Sequence, residues 1–153
     1  MNTMEKNFLK KVYGGSNGDE KRIQPRQYSP LVLAYIGDAI FEVFSRTKVV
    51  LQTQGPVNQL HNRSKGYVKA SAQAQMIRDL DSYLSEEEKG IIRRGRNAKS
   101  HTIPKNADLM DYKNATGLEA LVGYLYLDGQ LDRLEELIQL GFQALEQREK
   151  DTE

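Results

Sequence analysis

The sequence predicts an all-α protein. Apolar residues recur three and four positions apart through several long stretches, no stretch alternates apolar and polar residues as a half-buried strand does, and helix-capping residues stand where the periodic stretches begin. With 153 residues the chain suits one compact domain with a core that needs no staples.

In order along the chain, residues 1–28 form a polar extension, expected to be partly mobile, with a short helix over Glu5–Tyr13 ended by the loop Gly14–Gly18. Ser29 caps and Pro30 opens a helix running to about Leu51. Thr53-Gln54-Gly55-Pro56 breaks the pattern. A long helix is predicted over Val57–Leu84, with Leu60, Tyr67, Ala70, Ala74 and Ile77 on one face. Ser85 with Glu88 makes a capping box for a short helix through Ile91 and Ile92. From Gly95 the basic segment Arg93–Asn106 reads as a loop. Asn114 is placed to cap a helix over Ala115–Leu127, stopped by Asp128-Gly129. The last helix covers Leu131–Glu146, and residues 148–153 are expected to fray.

Composition narrows the function classes. The absence of cysteine excludes disulfides and thiolate metal sites, and two histidines, His61 and His101, argue against structural zinc. No leader-like segment or bilayer-length apolar run is present, so a soluble cytoplasmic protein is expected, with no membrane partner. Net charge is +1, which by itself announces no nucleic-acid binder.

Two acids break the pattern. On a helix Asp38 shares its face with Leu31, Ala34, Tyr35, Phe41 and Glu42, most of them apolar. Glu119 likewise neighbours Ala115, Thr116, Val122 and Gly123. A carboxylate on an apolar face is costly unless a cation, a donor or a metal compensates its desolvation. A salt bridge or hydrogen bond within the protein would serve for each. If the two acids meet in space, their like charges raise a pKa or recruit a cation. Magnesium is a fitting one, since it often takes one or two carboxylates and completes its shell with waters and substrate phosphates.

The residues Tyr35-Ile36-Gly37-Asp38-Ala39-Ile40 resemble the signature helix of the ribonuclease III family, and Thr116–Asp128 resembles its second acidic helix. The resemblance covers about Ser29–Leu145. With a nuclease domain at 29–147, no room for an appended double-stranded-RNA-binding domain, and the run Arg93-Arg94-Gly95-Arg96-Asn97-Ala98-Lys99-Ser100 between the acidic helices, the chain is most similar to the Mini-ribonuclease III group. The resemblance implies an all-α homodimer. It implies magnesium, with manganese as a possible substitute, and cleavage of both strands of double-stranded RNA to leave 5′-phosphate and 3′-hydroxyl ends. It further implies a role in maturing precursor large-subunit (23S) ribosomal RNA. Asp38 and Glu119 take the places of two metal-site acids and are the expected catalytic residues. The pattern also departs from the family: positions where further acids usually stand hold Leu31, Ala34 and Thr116, and Thr116 is expected to contribute a hydroxyl behind the ligands.

Duplex RNA is held mainly through phosphates and 2′-hydroxyls. The basic run supplies the side chains for this: Arg93, Arg94, Arg96, Asn97, Lys99, Ser100, His101 and Lys105. Arg63, Lys65 and Lys69 form a second candidate surface. Two other readings stay open on the sequence: a catalytically silent RNA-binding dimer of the same fold, and an all-α adaptor that binds protein through apolar faces.

Overall fold

A computed structural model describes residues 23–99, 103–106 and 108–152. Six α-helices are present among them: α1 (Pro30–Gln52), α2 (Val57–Val68), α3 (Ala70–Leu80), α4 (Glu86–Asn97), α5 (Leu109–Leu127) and α6 (Leu131–Thr152). Short 3-10 turns cover Pro25–Gln27 and Asp81–Tyr83. The described residues contain no strand. The helix expected at Glu5–Tyr13 and its glycine loop lie outside the described residues.

The predicted caps form. Ser29 Oγ accepts the Val32 N–H at 3.3 Å, with Pro30 in the first turn of α1. Ser85 Oγ accepts the Glu88 N–H at 3.1 Å, and Glu88 Oε1 accepts the Ser85 N–H at 2.8 Å. Gly129 ends α5 with φ +77°, a left-handed conformation that suits glycine.

Helix α5 is the centre of the molecule. Ala115, Gly117, Leu118 and the run Ala120–Leu125 are all buried, because this helix is apolar nearly all round. Helices α1, α3, α4 and α6 pack about it. Phe41 of α1 meets Phe142 of α6 edge to face, with ring centroids 5.6 Å apart.

Four boundaries differ from the sequence expectation. The helix predicted over Val57–Leu84 is broken at Lys69, where ψ is 150°. No glycine or proline stands there; packing imposes the break. It lets α2 lie along α1, with Ser45 and Ser64 hydroxyls 2.7 Å apart, while α3 turns to pack on α5 and α6. Helix α4 continues through Gly95 to Asn97 instead of giving way to loop. Gly95 is buried against α5, and Arg94 and Arg96 in the last turn suit the negative end of the helix dipole. Helix α5 starts earlier than predicted, with Asp108, not Asn114, as its cap: the Asp108 carboxylate accepts the Asp111 N–H at 2.9 Å. Residues 148–152, expected to fray, remain helical, because Arg148 pairs with Asp79 of α3.

Candidate active site

The two acids flagged by the sequence line one open cavity of about 400 Å³, together with Leu31, Ala34, Tyr35, Ile36, Ala39, Tyr112 and Thr116. Helices α1 and α5 bring them there, and two glycines set how closely those helices cross. A Cβ added at Gly37 would fall on the Glu119 carbonyl and lie 2.8 Å from the Gly123 nitrogen. One added at Gly123 would fall on the Leu33 carbonyl. Backbone therefore meets backbone at the residue next to Asp38. We expect Gly37→Ala to force the helices apart at a cost of about 3 kcal/mol, the upper end of ordinary overpacking. Thermal melting checks it: an alanine variant that melts with the wild type would show that no such contact exists.

Asp38 is exposed and Glu119 half-buried. Burial, and next the charge of Asp38, push the Glu119 carboxyl up to about 7; Glu42 adds to the rise and the Gln73 amide opposes it. Asp38 is raised too, by desolvation and by Glu42. No arginine or lysine among the described residues lowers either acid. Glu42 itself, one turn beyond Asp38, is paired with Arg46 at 3.0 Å. Asp38 and Glu119 thus form an anionic pair facing an open cavity, short of positive charge.

The positions where the family pattern has further acids form part of the wall: Leu31, Ala34 and Thr116 all line the cavity. The Thr116 hydroxyl donates to the Tyr112 carbonyl at 3.0 Å, so its proton is used within α5 while its lone pairs remain able to accept from water. Among the described residues, no group of three His, Cys, Asp or Glu side chains is arranged to hold a metal ion. Two carboxylates with open solvent beside them still fit magnesium, which keeps most of its waters and takes substrate phosphate oxygens as further ligands.

The basic side chains divide into three sets. Arg93, Asn97, Lys99 and Lys105 are exposed and Arg96 is half-exposed. The end of α4 lies directly against the site, since a Cβ at Gly95 would stand 3.1 Å from the Thr116 carbonyl. Arg94 is already engaged: its guanidinium donates to the Arg26 and Tyr28 carbonyls at 3.0 and 3.3 Å, tying the segment before α1 to α4. Ser100 and His101 fall outside the described residues. Arg63, Lys65 and Lys69 are exposed on α2 and the break that follows. Arg63 there acts on Tyr67, whose hydroxyl donates to Glu146 of α6 at 2.9 Å.

Sequence reasoning missed Gln73. It is 1% exposed on α3, beside Ala72, Ala74 and Met76, and its amide faces Glu119. The signal was available: one polar residue on an apolar face, as with Asp38 and Glu119, but uncharged and so overlooked. Tyr112 was missed as well; only its place one turn into α5 brings it to the cavity.

An all-helical domain with paired acids in an open cleft defines a class of acid-dependent hydrolases. Comparison with known proteins narrows it. The model of the ribonuclease III domain matches residues 31–130. A Mini-ribonuclease 3 of a Thermoanaerobacter species is 52% identical over 119 residues, 78% of this chain and 84% of that protein. The Mini-ribonuclease 3 of Clostridium tetani is 49% identical over 116 residues, 75% of this chain and 77% of that protein. A crystal structure of a Fusobacterium nucleatum protein superposes with a TM-score of 0.71 at 33% identity, covering 80% of this chain and 98% of that one. The chain belongs to the ribonuclease III family, and it is an endoribonuclease.

Proposed function

We propose that this endoribonuclease cleaves both strands of double-stranded RNA with magnesium held by Asp38 and Glu119, manganese serving in its place. The observation that carries the reading is the shared cavity. Two acids from distant parts of the chain meet there, both with raised proton affinity and neither neutralised by a cation. A bound magnesium supplies Lewis-acid activation of water and charge neutralisation at the phosphodiester.

The protein's own residues bind and orient. Asp38 presents an exposed carboxylate that can exchange waters for substrate oxygens, while Glu119 is fixed by the close α1–α5 crossing. Leu31, Ala34 and Tyr35 give the cavity an apolar wall that offers no competing ligand. Water adds to phosphorus in line as the 3′ oxygen departs and takes up a proton, leaving 3′-hydroxyl and 5′-phosphate ends. Arg93, Arg96, Asn97, Lys99 and Lys105 meet phosphates beside the site, with Ser100 and His101 in the same run; the α2 set of Arg63, Lys65 and Lys69 extends the track. Such contacts position a duplex without reading its sequence.

The enzyme works as a homodimer, each subunit contributing one site to a valley that holds the duplex. An apolar stripe on α1 supports this: Tyr35 is 82% exposed, Val43 60% and Val50 61%, more than a helix of a lone monomer should leave to water. The substrate is precursor large-subunit ribosomal RNA, processed in the cytoplasm, a reading that rests on the likeness to Mini-ribonucleases. No described helix is long and apolar enough to cross a membrane.

A long RNA duplex incubated with the protein should be cut on both strands with magnesium and stay intact with chelator. Binding without cleavage in magnesium would favour the silent RNA-binding dimer instead.

A further inference from the structure

The break between α2 and α3 leaves the Val68 carbonyl without a helical partner, and Gln73 Nε2 donates to it at 3.0 Å. That bond uses one of the two amide protons. The amide also faces the Glu119 carboxylate and stabilises it as an anion. Gln73 Oε1 is left buried with no hydrogen-bond partner among the described residues. An orphaned buried acceptor is a cost that a methionine of similar length would not carry. The amide does what no apolar residue could: it links the helix break to the acid on α5.

We propose that Gln73 is a positioning residue of the metal site. Pinned by the Val68 carbonyl, it holds the Glu119 carboxylate toward the cavity shared with Asp38, and so sets the affinity for a divalent ion. The inference rests on the reading that Asp38 and Glu119 hold that ion. With Leu31, Ala34 and Thr116 where the family pattern has acids, the orientation of the two remaining carboxylates carries more of the binding. A glutamate free to rotate away from the cavity gives up one of two protein ligands. Partners of this kind typically govern metal affinity by roughly 10–100-fold.

The test titrates manganese alone, without RNA, into the full chain and its Asp38→Asn, Gln73→Met and Gln73→Asn variants at one pH, with melting in chelator measured in parallel. We expect Asp38→Asn to abolish binding and Gln73→Met to weaken it roughly 10–100-fold while melting at or above the wild-type temperature. Gln73→Asn, one methylene too short to reach both partners, should lose affinity equally, and it decides the matter if the methionine variant fails to fold. Wild-type affinity in the Gln73 variants, with binding lost in Asp38→Asn, overturns the role of Gln73 and leaves the site assignment standing. Lower melting with unchanged affinity, or loss of the fold in both variants, assigns Gln73 to the helix break alone and also overturns it. A wild type that binds no manganese, or binds it as Asp38→Asn does, overturns the site assignment and the inference together.

Discussion

Asp38→Asn and Glu119→Gln each yield a folded protein that binds duplex RNA and cuts it more than about a hundredfold more slowly than the wild type. The bound is set by comparison: groups that merely support a metal ligand cost 10–100-fold when lost, so a ligand itself should cost more. Both substitutions keep size and remove charge. Asp38 is exposed, and its amide disturbs no packing. Glu119 is half-buried beside a like charge, so its amide removes repulsion from the fold. RNA affinity should hold, because the exposed cations of α4 and the segment after it lie outside the substituted pair. The loss should therefore fall on the cleavage step. Single-turnover cleavage with saturating enzyme separates the two, with circular dichroism as the control for folding. Activity within a few-fold of wild type in either variant would remove that acid from the catalytic role.

These two acids were legible because charge on an apolar helical face is a conflict that a one-dimensional pattern exposes. The helix ends set by Ser29, the capping box at Ser85 and the stop at Gly129 were legible for a similar reason: each depends on side chains within a few residues. What the sequence hid depends on distant partners. Nothing local breaks the chain at Lys69; α1, α5 and α6 do, by accepting α2 and α3 in different directions. Gly95 looked like a helix terminator and is instead the close contact between α4 and α5, so most of the arginine run is helical. Arg94 looked like one more phosphate ligand, yet its hydrogen bonds reach back to Arg26 and Tyr28. Gln73 carried no charge to draw notice, and its orphaned oxygen becomes visible only when α3 packs against α5. The chemistry of the site thus showed in residue types, while the supports that aim it showed only in three dimensions.

A paired-acid site should also cost the metal-free fold, and the sign can be worked out at Glu119. Its carboxyl has the ordinary value of 4.5 when unfolded and is pushed up to about 7 when folded, first by burial and next by Asp38. Below pH 4.5 both states hold the proton and the site carries no penalty. Between 4.5 and 7 the unfolded chain releases it while the folded chain keeps it, so stability falls as pH rises through this window. Above 7 the folded protein carries the full cost of the anion. The shift corresponds to about 3 kcal/mol at full value, and the open side of the cavity should reduce that to about 2 kcal/mol. Glu119→Gln removes the titration. In chelator at about pH 8 it should therefore melt roughly 4–8 °C above the wild type, and the gap should close toward pH 4.5. Magnesium should act in the opposite sense: it stabilises the wild type above pH 7, does so less as protons compete for Glu119 below that, and has little effect on Glu119→Gln. Melting curves across pH, with and without the ion, measure all of this. A Glu119→Gln variant less stable than wild type at pH 8 without metal would mean that the buried carboxylate is already compensated within the protein, with no need for an ion.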